Sequence, residues 1–339
     1  MASFASQISF LLLFLLFATT FNRVISCDEN DERLLLIFKQ GVVGPNNKLP
    51  SWTAEEDCCL WEGVHCDNIT GRVTELSLSY YGLEVINDLH WLSQLSSLKY
   101  LNLSDIDIGN DTKWLQHIAM LPSLSELHLS GCGLRDFPSL DCANFTSLEV
   151  LDLSGNFYTV KSKLPDSFSN ITNHIHELDL YGCNFYGQLP NSLLNLQNLK
   201  YLDLGYNNFE GSIPDWLGQF EQLQHLDIYH NLFHGIIPSS IGNISSLFHL
   251  DLSYNQLNGD LPETLGQLHK LDHLDISGNL WIGVLSEMNF ANLSNSTSLD
   301  LSSTSFEFDF DPKWVPPFQL DTLHLRNTSI GPNVYFGAL

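Results

Sequence analysis

The segment Tyr201–Pro214, with the sequence YLDLGYNNFEGSIP, carries the pattern that decides the fold. Leu202 and Leu204 flank Asp203, Asn207 follows shortly after, and Gly-x-Ile-Pro closes the segment. Because side chains alternate along a strand, the two leucines face one side and the aspartate faces the other. A strand this short cannot bury its leucines alone, so the pattern predicts a repeat whose neighbouring copies share one core.

The leucine-x-leucine core recurs at intervals of 24 to 27 residues. The cores begin at Leu76, Leu101, Leu127, Leu151, Leu178, Leu202, Leu226, Leu250, Leu274, Leu299 and Leu323. The central copies, L-x-x-L-x-L-x-x-N-x-L-x-G-x-I-P, resemble the leucine-rich-repeat pattern, and their ending resembles its plant-specific class, which implies an additional short strand. The predicted fold is an α/β repeat: a right-handed leucine-rich-repeat solenoid with a parallel concave β-sheet over residues 72–339.

One asparagine position follows each central strand, where the chain turns away from the sheet. It is occupied by Asn207, Asn231, Asn255 and Asn279, whose stacked amides are expected to hydrogen-bond the backbone of the neighbouring turn. Cys132 and Cys183 take this place in two other repeats and are predicted to be small buried thiols.

Composition and the first residues indicate an extracellular chain. Fourteen basic residues against 39 acidic ones give a formal charge of −25, which argues against binding to nucleic acid or to an anionic membrane. The apolar run at 8–21 predicts a signal peptide over residues 1–26, with a membrane anchor as the alternative. No later run is apolar enough to cross a bilayer, so the expected location is the secretory pathway and the extracellular space.

Several N-x-S/T sequons agree with a secreted chain. Those expected to carry glycans are Asn68, Asn110, Asn144, Asn170, Asn243, Asn292, Asn295 and Asn327. A ninth, Asn102, lies beside a strand leucine, so a glycan there would crowd the sheet face and only partial use is expected.

Residues 27–71 precede the repeats and are predicted to cap them. The stretch CDENDERLLLIFKQ predicts an amphipathic helix with acids in its first turn and apolar residues at Leu34, Leu35, Ile37 and Phe38. Sequence alone allows three pairings of four cysteines. The pattern from Cys27 through D-C-C-x-W-x-G-V-x-C resembles the N-terminal cap of plant leucine-rich-repeat receptors, which implies the disulfides Cys27–Cys58 and Cys59–Cys66. Cys142 has no assigned role.

The W-x-P-P-F-Q-L phrase beginning at Trp314, taken with the cap, resembles the plant receptor-like proteins that perceive fungal xylanase and related elicitors. The resemblance covers residues 27–327. Such proteins have more repeats, a C-terminal cap and a transmembrane helix, so this chain is expected to be a fragment or a truncated form, with a cell-membrane location if a longer form carries that helix. The resemblance also implies signalling through a partner receptor kinase.

Candidate contact residues lie on the outward side of repeats five to nine. The aspartate between each pair of leucines is favoured as ordinary repeat sequence, although stacked carboxylates are expected to have raised pKa values. Tyrosine and histidine depart from that pattern and favour a recognition surface, with a solvated face as the alternative and acid sensing by the histidines as a further hypothesis. The predicted ligand-binding residues are Tyr181, Lys200, Tyr201, Asp203, Tyr206, His225, Asp227, Tyr229, His230, His249, Asp251, Tyr254 and His273.

No nucleotide, metalloprotease or hydrolase motif is present, so neither an enzyme nor a cofactor is predicted. The HIHE stretch at 174–177 lacks a third zinc ligand, and no metal site is predicted there.

The leading interpretation is the recognition module of a receptor-like protein in plant defence, binding a protein or peptide elicitor. The alternative resembles the polygalacturonase-inhibiting proteins, which are secreted inhibitors of cell-wall-degrading enzymes. A glycan hydrolase ranks last, because it needs two carboxylates in unlike environments and the aspartate column is expected to offer like ones.

Overall fold

The computed structural model describes residues 26–42, 48–79, 81–135, 137, 145–157, 161–166 and 174–328. The expected signal peptide, except residue 26, lies outside the described residues. So do Cys142, the sequons Asn144 and Asn170, and the chain from 329 to 339. Within the described residues, none of the helices combines the length and apolar character needed to span a bilayer.

The N-terminal helix α1, Glu29–Gly41, lies over the first strands. Its N-cap is Asp28, whose side chain accepts the N–H groups of Asn30 and Asp31. Leu34, Leu35 and Phe38 are buried. The expectation that Ile37 shares this face is wrong, because the buried arc leaves it on the outer flank with 55% of its surface exposed.

Two disulfides lie within the cap, and an ion pair joins the cap to the repeats. The disulfides connect Cys27 with Cys58 and Cys59 with Cys66. The buried carboxylate of Asp31 accepts the N–H of Val73 at 2.9 Å and lies 3.1 Å from Nε of Arg72. The charge of Asp31 is therefore paired where the helix meets the first repeat strand.

The long sheet contains all eleven leucine-x-leucine cores, each on its own strand. Among the described residues its order is β1-β2-β3-β4-β5-β7-β9-β11-β13-β15-β17-β19, with β1 antiparallel to β2 and the other pairs parallel. The strands are β1 Val64–Cys66, β2 Val73–Ser77, β3 Tyr100–Asn102, β4 Glu126–His128, β5 Val150–Asp152, β7 Glu177–Asp179, β9 Tyr201–Asp203, β11 His225–Asp227, β13 His249–Asp251, β15 His273–Asp275, β17 Ser298–Asp300 and β19 Thr322–His324.

A second, short sheet is present, as the plant-specific class implies, and four of its strands end at the glycine that begins a Gly-x-Ile/Leu-Pro segment. It runs in the order β18-β16-β14-β12-β10-β8-β6 in the part of the chain that the structure describes. Its strands are β6 Ser162–Lys163, β8 Phe185–Gly187, β10 Asn208–Gly211, β12 Leu232–Gly235, β14 Gln256–Gly259, β16 Leu280–Leu285 and β18 Ser305–Phe308. The remaining side is formed by 3₁₀ turns such as Asp215–Gln219 and by the short helix α2, Trp114–Ile118.

The asparagine position forms the predicted hydrogen-bonded ladder between repeats. Nδ2 of Asn231 donates to Leu204 O at 2.9 Å and to Ile228 O at 3.1 Å, while its Oδ1 accepts the N–H of Phe209 at 2.9 Å. Each amide therefore satisfies backbone groups of its own repeat and of the preceding one. Cys183 imitates half of this arrangement, because its thiol donates to Leu153 O at 3.0 Å.

The W-x-P-P-F phrase forms an aromatic cluster near the last repeats. Trp314 stacks on Phe310 with ring centroids 5.0 Å apart, and both rings pack against Phe290. Phe318 contacts Phe290 and Trp314 edge-on. The phrase thus supplies apolar cover to the repeat before it.

Candidate recognition face

The first ring ladder consists of Tyr201, His225, His249 and His273, which begin four neighbouring strands of the long sheet. Because these strands pair in register, the four rings stack face to face. The centroid distances are 4.3, 4.2 and 4.5 Å along the ladder, and the planes differ by 10° or less. The structure therefore joins these four predicted residues into one continuous surface.

The second ring ladder consists of Tyr206, His230 and Tyr254, which follow the strands. His230 lies between the two tyrosines, with centroid distances of 4.4 and 4.6 Å. Tyr206 and Tyr254 remain 46% and 55% exposed. Their polar tips and ring edges are thus available to a partner, as is common in recognition surfaces.

The backbone of the second ring ladder is unusual for large side chains. Tyr206, His230 and Tyr254 have φ values of 52°, 50° and 51°, in the left-handed region that favours glycine. Four other repeats have glycine at the equivalent position, Gly131, Gly155, Gly182 and Gly278, and three have a small polar residue with positive φ, Asp105, Ser303 and Asn327. A non-glycine residue there costs on the order of 1 kcal/mol or more, so three successive rings are placed against the preference of the backbone.

Tyr181 and Tyr229 meet across an intervening repeat, a contact that the sequence analysis missed. Their rings stack at 6.0 Å, and both contact Tyr206. The contact requires Gly205, because a Cβ at that position would lie 2.5 Å from Cε1 of Tyr229. The signal in the sequence is that the middle of three successive repeats has glycine, Gly205, where the repeats on either side have Tyr181 and Tyr229.

The aspartate column has a structural role in every repeat where it occurs. Asp203, Asp227 and Asp251 each accept, through Oδ1, the N–H of the residue two positions later, at 2.8 to 3.0 Å. This bond closes the turn after the strand. It accounts for the recurrence of aspartate and supports the interpretation as ordinary repeat sequence.

Burial raises most pKa values in this column, and repulsion adds to the effect. The pKa of Asp227 rises to about 8, first through burial and then through the charges of Asp203 and Asp251. Burial also raises the pKa of Asp203 to about 6 and that of Asp179 to about 7. The expected raised values are present, but loss of hydration is their main cause.

The expectation of like environments along the column is wrong. In contrast to Asp179, Asp152 has a lowered pKa: burial would raise it, but hydrogen bonds from His128 and Ser154 outweigh that effect. The two acids lie on paired strands, and each accepts a backbone N–H two residues later. Their difference therefore follows from the side chains of His128 and Ser154, which donate to Asp152 and have no counterpart at Asp179 among the described residues.

Two histidines of the first ring ladder, His225 and His249, have lowered pKa values. Burial, with nearby histidine charge adding to it, lowers the pKa of His225 to about 4 and that of His249 to about 3. Both imidazoles therefore stay neutral through mildly acid pH. The hypothesis of acid sensing is wrong for these two residues, because desolvation outweighs the neighbouring carboxylates.

Lys200 is exposed immediately before β9, beside the first ring ladder. Two histidines that the sequence analysis overlooked also lie on this side of the long sheet. Nδ1 of His128 lies 3.5 Å from Asp152, and Nδ1 of His324 lies 3.0 Å from Asp300. The detectable signal was histidine in place of aspartate between two leucines.

Six of the predicted glycosylation asparagines are exposed, namely Asn68, Asn110, Asn243, Asn292, Asn295 and Asn327. Asn102 is half-buried, donates to the hydroxyl of Tyr100 at 3.2 Å and accepts the N–H of Ser104. Glycan attachment at all of these positions stays a prediction.

A parallel sheet with one strand per repeat, a ladder of side-chain amides and a disulfide-bonded helical cap define a repeat-solenoid protein. The family profile described as "Leucine-rich repeat region" matches residues 138–334, and "Leucine rich repeat N-terminal domain" matches residues 28–67. The chain belongs to the leucine-rich-repeat family.

Its curated relatives include plant receptor-like proteins. Receptor-like protein EIX1 of Solanum lycopersicum is 28% identical over 60% of this chain and 28% of its own length. Receptor-like protein 6 of Arabidopsis thaliana is 31% identical over 45% of this chain and 18% of its own length. The chain thus spans less than a third of the length of these relatives.

Solved structures with this fold include ectodomains of plant receptor kinases. The ectodomain of GASSHO1/SCHENGEN3 from Arabidopsis thaliana, in complex with CASPARIAN STRIP INTEGRITY FACTOR 2, has a TM-score of 0.74 and 26% identity, covering 88% of this chain and 36% of that one. Arabidopsis HAESA, in complex with the peptide hormone IDA and the co-receptor SERK1, has a TM-score of 0.63 and 25% identity, covering 89% and 62%.

Proposed function

We propose that the chain is the extracellular recognition module of a plant receptor-like protein in defence signalling. The two ring ladders and the Tyr181–Tyr229 contact form the binding surface, and the ligand is a protein or peptide elicitor. The role is recognition without catalysis. Signalling proceeds through a partner receptor kinase, as expected from the resemblance to elicitor-perceiving receptor-like proteins.

The second ring ladder carries this proposal. Glycine suits its left-handed position, and neighbouring repeats use glycine there. Tyr206, His230 and Tyr254 instead place three stacked rings at that position, two of them largely exposed. Strain that the fold does not need, on an exposed aromatic surface, is typical of a binding site.

The named complexes of structural neighbours agree with such a role. GASSHO1/SCHENGEN3 and HAESA are described in complex with peptide or protein factors, and HAESA also with a co-receptor. For this chain, two ladders of stacked rings favour a ligand that brings apolar and aromatic groups to the sheet.

The test uses a triple variant that keeps the fold. Tyr206→Gly, His230→Gly and Tyr254→Gly introduce the residue that neighbouring repeats already carry, so folding is expected to be retained. The matched control changes three exposed residues of the same solenoid on the short-sheet side: Leu232→Ala, His234→Ala and Ile236→Ala.

The secreted proteins are immobilised and probed with fungal xylanase, then with fractionated microbial culture filtrates, by biolayer interferometry. The expected result is saturable binding to the wild type and the control, and binding weakened about 30-fold or more in the glycine variant, the loss typical of an aromatic hot spot. Equal binding by all three proteins would refute the assignment of the surface. Inhibition of microbial polygalacturonase, equal in wild type and glycine variant, would favour the inhibitor alternative.

A further inference from the structure

The middle of the first ring ladder has the donor atoms of a transition-metal site. His225 and Asp227 lie two residues apart on β11 and point to the same side, and His249 lies beside His225 on β13. One ring nitrogen from each histidine and one carboxylate oxygen lie within 4.8 Å of one another. Two imidazoles and a carboxylate are a ligand set that zinc accepts, with a fourth position left open.

Asp227 supplies the carboxylate ligand of this group. Its residue surface is only 8% exposed, and Oδ1 is occupied by the N–H of Tyr229 at 3.0 Å. Among the described residues, no donor reaches Oδ2, and no lysine or arginine pairs with the carboxylate. Oδ2 is not fully buried, so it can accept a cation in exchange for a proton.

Asp88, Asp111 and His117 form a second group whose possible ligand atoms also lie within 4.8 Å of one another. In this group, however, the oxygens of Asp111 already accept hydrogen bonds. Oδ1 of Asp111 accepts the N–H of Lys113 at 2.8 Å, and Oδ2 accepts the N–H of Leu89 at 2.9 Å and lies 3.0 Å from Nδ1 of His117. That carboxylate closes backbone turns and has no free oxygen to offer. The cysteine group with metal-like spacing consists of the two disulfides of the cap.

Binding of one metal ion would require the stacked rings of His225 and His249 to change their orientation. Donors of a tetrahedral zinc ion lie about 3.3 Å apart, given bond lengths of about 2.0 to 2.2 Å. His225 and His249 have nearly parallel rings with centroids 4.2 Å apart, so both rings must rotate about their side-chain torsions before their in-plane lone pairs converge on one ion. The open fourth position faces solvent, on the side where the rings are accessible.

We propose that His225, His249 and Asp227 bind one divalent transition-metal ion, with Zn²⁺ as the probe. The affinity is measurable without any peptide or protein ligand, so this proposal and the recognition function can fail separately. The metal sits within the recognition face and would offer its open position to a donor group of a ligand.

The test is isothermal titration of ZnCl₂ into the full secreted chain, purified without a histidine tag. The variants His225→Phe and His249→Phe keep a ring in the stack and remove a donor, and Asp227→Asn keeps the acceptor for Tyr229. The matched control for the substitution is His269→Phe at an exposed histidine outside the ladder, and Asp88→Asn controls for the second group.

The expected result is one ion per chain in the wild type and in both controls. Affinity should fall at least tenfold in each histidine variant and in Asp227→Asn. Cobalt should give the visible bands of a tetrahedral site in the wild type and lose them in His249→Phe. The absence of saturable binding would overturn the proposal, as would unchanged affinity in both histidine variants or loss of binding in Asp88→Asn.

Discussion

Asn231 offers a sharp test of how neighbouring repeats are held together. Replacement by alanine removes three donor contacts, to Leu204 O, Ile228 O and Tyr229 O, and one acceptor for Phe209 N–H. The carbonyls of Leu204 and Ile228 each keep a bond from the asparagine of an adjacent repeat. Among the described groups that bond to the Asn231 side chain, the buried N–H of Phe209 therefore loses most, because its side-chain acceptor is removed.

The cost follows from this difference. An orphaned buried donor costs about 1 to 3 kcal/mol, and each lost hydrogen bond contributes about 1 kcal/mol or less when a second donor remains. Asn231→Ala should therefore destabilise the protein by about 3 kcal/mol. Asn231→Cys should cost about 1 kcal/mol less than alanine, because a thiol at the equivalent position donates to a carbonyl of the preceding repeat, as Cys183 does to Leu153 O.

The assay is urea unfolding followed by tryptophan fluorescence, together with hydrogen exchange of the amide of Phe209. Asn258→Ala, at an exposed asparagine on β14, is the matched control and should change the unfolding free energy by less than about 0.5 kcal/mol. The reasoning is refuted if Asn231→Ala costs less than about 1 kcal/mol, or if the cysteine variant is no better than the alanine variant.

Three further predictions concern protonation and the buried thiols. The pKa of Asp227 is raised to about 8, so the folded state holds a proton that the unfolded chain releases near pH 4. The contribution of this carboxyl group to stability is therefore present at low pH and is lost as pH rises through 8. Asp227→Asn should remove on the order of 4 kcal/mol of this decline in urea unfolding between pH 5 and 8.5, and an unchanged slope would contradict it. The lowered pKa of His249, about 3, acts in the opposite sense: its contribution to stability is present above pH 6.5 and is lost as pH falls through 3. His249→Phe should therefore flatten the acid side of the plot of melting temperature against pH. A plot identical to that of the wild type would argue against burial as the cause of the lowered pKa. Cys132→Ala should cost about 2 kcal/mol, because Leu103 O loses its thiol donor and a small cavity forms, and a melting temperature equal to that of the wild type would exclude this role.

The repeat was readable from the sequence because each repeat contacts mainly its neighbours. Alternation places Leu202 and Leu204 inward and Asp203 outward whatever the rest of the chain does. The asparagine ladder was predictable for the same reason, since Asn207 and Asn231 reach only one repeat back along the stack. The orientation of Ile37 was not, because several apolar residues in one helix leave its buried arc undetermined until it docks.

The sequence by itself determined the solenoid, its eleven repeat cores, its capped start and the residues that face outward. Only the tertiary structure decided what those outward residues experience. The Tyr181–Tyr229 contact spans two repeats and depends on the missing side chain of Gly205, which no repeat pattern reveals. Stacking of the repeats removes water from both Asp227 and His249 and so disfavours the charged form of each side chain. The pKa of the acid therefore rises and that of the histidine falls. This burial is a property of the assembled column of repeats.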